Sequence, residues 1–446
     1  MMITAHRHAD KAYSMRKQIL PTRDVIALGF MTLALFLGAG NIIYPPIVGR
    51  MTNEYYLIAS IGFNISGVLL PMLAVIVLAE KNGHPLEVCA PMGKFWGAVL
   101  ASSFYLFLGV FFASPRTASV SYEMGVVNFL DDTPLHLCIY SGVFFAVVWF
   151  LGLYPGRLLK TIGYVLAPLK LLCLLCLAIF ATRSHVAPLL TATSDESVKA
   201  FSNGFMNGYL TMDTLSALTF GMIVVNSMKV KGVTEREDIR FYTRTTVLFA
   251  GIGLVAIYLC LMKIGAGFGQ MGNFQNGAQI LRAFIVENMG VGGTIFMAVL
   301  IYLACTVTAV GLTSATATLF SEMSGISYKI LLPVVVVASF LIANIGLTRL
   351  IGISVPALSV ICPACTTLIL LTVLRWPAHS IALPVWVSIA FSAYAAVLKP
   401  LGFTVNLIDK LPFTSVSLGW VLPTALVALL LLLKDKTSRK VAITSR

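Results

Sequence analysis

The chain has 446 residues, 58% of them hydrophobic and only 11% charged, where an ordinary soluble domain carries about a quarter charged residues. With a mean hydropathy of +0.91, it holds more apolar surface than a water-soluble fold can bury. Lipid is therefore its solvent, and the net charge of +13 is to be read against a membrane before nucleic acid is considered.

Apolar runs of roughly 17 to 25 residues, enough to cross a bilayer core, recur in chain order at about 24–49, 55–79, 97–115, 136–155, 163–181, 201–227, 242–266, 292–320, 330–347, 352–374, 382–397 and 417–433. They predict an all-α integral membrane protein with about twelve transmembrane helices. With both termini cytoplasmic, twenty-one of the 31 Lys and Arg fall inside and eight outside (Arg50, Arg116, Arg183, Lys199, Arg282, Arg349, Lys399 and Lys410), while Lys170 and Lys263 lie within spans. The positive-inside rule thus sets the orientation and an even number of crossings. Basicity reflects topology, and a nucleic-acid partner is not expected. The basic stretch 1–23 precedes a run too long for a signal-peptide core and reads as a retained tail. Between the spans, Ala278–Glu287 reads as a short interfacial helix.

The first span carries Gly38-Ala39-Gly40-Asn41, followed by Tyr44-Pro45-Pro46, at a depth where a lipid-facing helix would carry leucine. The sixth span is interrupted in the same way, over Gly204 to Thr214. Paired breaks five spans apart mark an inverted-repeat secondary transporter with a midplane site, because unwound backbone survives in a membrane only where it lines a cavity or is buried in protein. Gly38, Ala39, Gly40 and Asn41 would present amides to a carboxylate at the positive end of a half-helix, and Asn41 also offers a carbonyl oxygen to a hard cation. The plainer reading is close helix packing through small residues.

Asp213 is the only one of 18 acidic residues deep within a span. Its carboxylate would face a substrate ammonium or a coupling cation; the alternative is a hydrogen bond to a neighbouring helix. Lys170, about seven residues into the fifth span, either snorkels to the cytoplasmic face or is a buried, titratable amine. Tyr105 either turns its hydroxyl into the cavity or packs with its tip satisfied elsewhere. In the eighth span, Thr313 and Ser314 are candidate cation ligands among hydroxyls that otherwise bond their own backbone. The pairs Cys173/Cys176 and Cys362/Cys365 have C-x-x-C spacing but no His or carboxylate beside them, and read as packing. The six histidines lie in tails, loops or span edges, which argues against a histidine relay or metal centre. No G-x-x-x-x-G-K-[ST] loop is present, and the intramembrane residues supply no nucleophile–base pair for an enzyme.

The stretch Ala27-Leu28-Gly29-Phe30-Met31-Thr32, continuing through Leu35-Phe36-Leu37-Gly38-Ala39-Gly40-Asn41-Ile42-Ile43-Tyr44-Pro45-Pro46, resembles the signature of the bacterial branched-chain amino acid:cation symporters. Gly208-Tyr209-Leu210-Thr211-Met212-Asp213 is similar to that family's sixth span. The resemblance implies a leucine-transporter-like fold: helices 1–5 in a first repeat (24–181), helices 6–10 in an inverted second repeat (201–374), two further helices (382–433), and cytoplasmic tails at 1–23 and 434–446. It implies import of leucine, isoleucine and valine across the bacterial inner membrane, with sodium favoured as the co-transported ion, a proton as the other candidate, and neither a bound cofactor nor an obligate protein partner. Carried over by position, Ala39 and Gly40 would give amides to the substrate carboxylate and Tyr105 its hydroxyl. Ala34, Leu37 and Val310 carbonyls with the Thr313 and Ser314 hydroxyls would hold one cation. Asn41 and Thr211 would hold a second, and Asp213 would face the substrate amine. The resemblance also suggests that Lys170 modifies the first cation site and makes coupling partly protonic. A transporter-derived sensor or a channel is the other class of function the sequence leaves open.

Overall fold

The computed structural model describes residues 20–127, 129–181, 194–274, 276–402, 405, 408 and 418–444. The expected tail 1–19, the charges at Arg183 and Lys410, and His6, His8 and His185 lie outside them. No strand occurs among the described residues, and eight of their helical runs are long and apolar enough to cross a membrane, or nine if one bent pair is a single span.

One of those runs, Gly40–Glu80, is two legs. Helix α1 (Thr22–Phe36) and helix α2 (Ala39–Thr52) make the first crossing, and a turn at Asn53, held at φ 43°, leads into α3 (Tyr56–Asn64) and α4 (Leu70–Glu80). The long helix α11 (Arg236–Phe268) fixes their directions. It runs with the first crossing, since Gly29 touches Phe249, Asn41 bonds Tyr258 and Gly265 touches Pro46. It runs against α3–α4, since Phe63 meets Tyr258 edge-to-face while Gly251 approaches Val68 and Met72.

The remaining helices are α5 (Lys94–Leu106) and α6 (Ala113–Ser121), joined through a one-turn bulge as the third crossing; α7 (Pro134–Gly152); α8 (Ala167–Ala181) in the fifth; α9 (Ser194–Leu210) and α10 (Asp213–Val230) in the sixth. After α11 come α12 (Gly277–Met289), α13 (Val291–Ser324), α14 (Tyr328–Ala343), α15 (Leu347–Val373), α16 (Ala382–Ala393) and α17 (Val421–Thr444). Counted as legs, these give the expected twelve. The sixth crossing lies alongside the second in the same direction: Gly204 meets Ala59, Gly208 meets Phe63, Gly221 meets Val75, and Lys229 bonds Asn82 O. The first beside the seventh and the sixth beside the second is the reciprocal pairing that an inverted repeat produces.

Small residues make these crossings possible, because without a hydrophobic drive inside lipid, helices associate by close van der Waals approach. A methyl on Gly265 would stand 1.9 Å from Pro46 O, and one on Gly204 1.8 Å from Ala59 O. Gly204 and Gly208, expected as part of the sixth-span break, are therefore packing positions inside a continuous helix. That break is narrower than expected, at Thr211 and Met212, where Met212 takes a left-handed conformation (φ 66°) and the axis bends by 43°. The outward faces of the bundle are greasy, with Leu172 and Leu248 left 63% and 66% exposed, as a lipid-facing surface requires.

Candidate functional site

The two breaks meet. Leu37 and Gly38 separate α1 from α2, and Thr211 and Met212 separate α9 from α10, so four helix ends with unpaired backbone groups converge. The carbonyl end of α1 is fully accounted for. Leu33 O accepts from Leu37 N (3.1 Å) and Phe36 O from Gly38 N (2.7 Å). Leu35 O accepts from the Thr308 hydroxyl of α13 (3.1 Å). Ala34 O accepts from Lys170 Nζ (2.8 Å), and Leu37 O accepts from the same ammonium. Lys170 is wholly buried, so the snorkelling alternative fails: its stem reaches inward from α8 and its charge sits on the negative end of a half-helix, where the macrodipole favours a cation.

The carbonyls expected to hold the first cation, Ala34 and Leu37, thus hold a side-chain ammonium. The hydroxyl of Thr313 donates to Ala309 O (2.8 Å) within its own helix, and the Ser314 hydroxyl lies beside Gly152 of α7. Neither is bonded to the Lys170 pair. Tyr105 is buried and donates to Leu218 O (2.9 Å), so it packs with its tip satisfied by α10 and does not line the central cavity.

The second group is compact. Asp213, 4% exposed, opens α10, where the positive end of the helix favours a carboxylate. It accepts from Asn41 Nδ2, with the hydroxyls of Thr211 and Tyr258 beside it. Asn41 Nδ2 also donates to Tyr258 Oη at 2.6 Å, and Thr211 Oγ1 donates to Gly208 O at 2.7 Å. Residues Asn41, Thr211 and Asp213, singled out separately in the sequence, form one network that ties the two broken spans to α11. Tyr258 was missed because a tyrosine in an apolar run reads as packing.

The cavity between the breaks is bounded by Phe36, Gly38, Gly40, Asn41, Arg116, Asp213, Phe220, Thr308 and Leu312, with a volume of about 20 Å³, room for about one water. A larger cavity of about 520 Å³ adjoins it on the side away from residue 22, walled by α2, the third crossing and α12, with Gly40 and Arg116 common to both. Helix α12 fits against α2 so tightly that a methyl on Gly277 would overlap Ile43 O. At the far end of α1, Asp24 pairs with Lys231 (2.9 Å) and accepts from Tyr164 Oη, while Arg23 lies 5.0 Å over the Tyr164 ring.

Arg116 corrects the sequence reading. Counted there among outside-loop charges, it belongs to α6 and lines both cavities. The apolar run ends near residue 115, but the helix continues, with Arg116 and Thr117 facing the cavity instead of lipid and Ser119 donating to Ala343 O of α14. Removing it from the outside count leaves the positive-inside bias intact.

Two juxtaposed helix breaks, a buried carboxylate beside them and the two adjoining cavities are the features of a transporter of the leucine-transporter-like fold. Two solved transporters share that fold: the nucleobase-cation-symport-1 family transporter Mhp1 (TM-score 0.54, 14% identity, 91% of this chain and 90% of that one) and a Na+-coupled sialic acid symporter (TM-score 0.57, 15% identity, 91% and 88%). The family model described as "Branched-chain amino acid transport protein" matches residues 21–438. The chain is 42% identical over 427 residues to the branched-chain amino acid permease BrnQ of Escherichia coli K12 (94% of this chain, 97% of that protein). It is 43% identical over 413 residues to the branched-chain amino acid transport system 3 carrier protein of Pseudomonas aeruginosa (91% and 94%), and 34% identical to BraB of Bacillus subtilis (91% and 94%). The chain belongs to the branched-chain amino acid transport protein family and is a multi-pass membrane transporter, not an enzyme.

Proposed function

We propose that this chain imports leucine, isoleucine and valine across a bacterial inner membrane by cation-coupled symport, with both termini in the cytoplasm. The substrate class is supported by the names of its relatives and by the chemistry of the central cavity, whose lining combines a carboxylate and a half-helix amide end with the apolar side chains of Phe36, Phe220 and Leu312. Alternating access fits an outer cavity of about 520 Å³ over a central one of about 20 Å³; admitting a branched aliphatic side chain requires α2 and α10 to part.

The observation that carries the coupling is the Lys170 ammonium on Ala34 O and Leu37 O. A protonated lysine clamps the end of α1 to α8, and its neutral form would release two charge-assisted bonds. Protonation of Lys170 is thereby the coupling event, in place of a sodium ion at these carbonyls. A second reading keeps sodium at Asn41 Oδ1, Thr211 and Asp213, favoured by three oxygen-bearing side chains at two free helix ends. Radiolabelled leucine uptake into proteoliposomes under separately imposed proton and sodium gradients tests both, with Lys170→Ala alongside. Uptake driven by a proton gradient in wild type and lost in Lys170→Ala is expected. No saturable uptake under either gradient would sink the transport reading and leave a channel or sensor, whereas sodium-driven uptake unchanged in Lys170→Ala would sink the role of the lysine.

A further inference from the structure

Arg116 is the residue that no role so far explains. It lies in α6, part-exposed, on the boundary shared by the outer and the central cavity. Its guanidinium stands beside the backbone of Gly40, so close that a methyl there would sit 3.4 Å from its terminal nitrogen. Among the described residues no carboxylate is within ion-pair distance of it and its side chain makes no hydrogen bond, although it lies within electrostatic reach of Asp213. A charged residue at membrane depth is costly unless it meets an opposite charge or water, and five donors in a planar fork are matched best by a carboxylate.

We propose that Arg116 binds the α-carboxylate of the transported amino acid at the floor of the outer cavity and makes a free carboxylate a requirement for entry. This rests on the transport reading above. The guanidinium stands next to the amide end of α2, where Gly40 and Asn41 present N–H groups without intrahelical partners, so a carboxylate there receives both. Asp213 lies farther from Arg116 than an ion pair allows, so once α2 and α10 part a zwitterion bridges them, carboxylate to Arg116 and ammonium to Asp213. A side chain at Gly40 would start in contact with the guanidinium and with the Tyr44 ring.

The test compares leucine with leucinamide, which keeps the ammonium and the isobutyl group and lacks the carboxylate. Wild type, Arg116→Lys and Arg116→Gln are reconstituted, leucine KM and inhibition by leucinamide are measured, and thermal stabilisation of the purified proteins by each compound is followed in parallel. In Arg116→Gln the leucine KM rises about 10- to 100-fold, the value of one charge-assisted bond, while leucinamide inhibition is unchanged, so the preference for leucine shrinks by the same factor. Arg116→Lys retains part of it. If Arg116→Gln no longer transports, loss of stabilisation by leucine with retention of stabilisation by leucinamide supports the assignment, and equal loss of both overturns it. Undiminished preference for leucine in both variants overturns it as well. Absence of leucine uptake by wild type overturns the transport reading, and this proposal with it, before any substitution is compared.

Discussion

Replacing Gly265 by alanine tests how tightly the site depends on helix approach. The new methyl would stand 1.9 Å from Pro46 O and 2.6 Å from the Pro46 carbonyl carbon. Ordinary contact needs about 1.5 Å more, and since both obstructing atoms are backbone, α2 and α11 have to part. Tyr258 is seven residues from Gly265, about 10 Å along α11. If the helix pivots about its packed start near Phe249, Tyr258 moves by roughly 0.8 Å, and if it shifts as a rigid rod, by about 1.5 Å. Either movement takes the 2.6 Å bond between Asn41 and Tyr258 to the limit of a hydrogen bond or beyond it. Overpacking costs about 1–3 kcal/mol and the weakened bond about 0.5–1.5 kcal/mol. Gly265→Ala should therefore lower the unfolding midpoint of the purified protein and raise the leucine KM, without altering insertion. Midpoint and KM both equal to wild type would refute the argument that the α2–α11 contact positions Asn41.

Further expectations concern the network itself. Asp213→Asn preserves shape but removes the charge proposed to face the substrate ammonium, and the leucine KM should rise at least tenfold, since charge-assisted bonds contribute about 1.5–3 kcal/mol; normal uptake by the variant would refute that assignment. Thr308→Val leaves Leu35 O without its donor and should destabilise by about 1–3 kcal/mol, read as a lower unfolding midpoint with little change in expression. Asp24→Asn weakens the contacts made with Lys231 and Tyr164. Because the pair is partly exposed, it contributes only about 0.2–1 kcal/mol, so leucine affinity measured from the outer face should fall by no more than about fivefold, with less effect at high salt. A large, salt-independent loss would mean that Asp24 acts in some way other than through that ion pair.

The break at Gly38 was legible because two glycines, an amide and two prolines at mid-membrane depth have few other uses. Asp213 was equally plain from its cost in lipid. Reading the sixth span as broken from Gly204 onward failed because glycine serves both unwound backbone and close helix approach, and only the facing atoms, Ala59 O and Phe63 O, tell the two apart. Tyr105 followed the same logic, since one hydroxyl in a helix has several directions open to it until a neighbour's carbonyl is in place.

Sequence alone determined the solvent, the all-helical membrane fold, the break in the first span, the stretch that holds the break in the sixth, and the family, because these depend on composition and local pattern. The tertiary structure decided which groups meet. Lys170 and the Ala34 and Leu37 carbonyls are more than 130 residues apart, Asn41 and Asp213 172 apart, and nothing local specifies their encounter. Arg116 shows the reason most sharply: as a charge just past an apolar run it reads as a loop residue, and only the packed helices show it inside α6, lining two adjoining cavities.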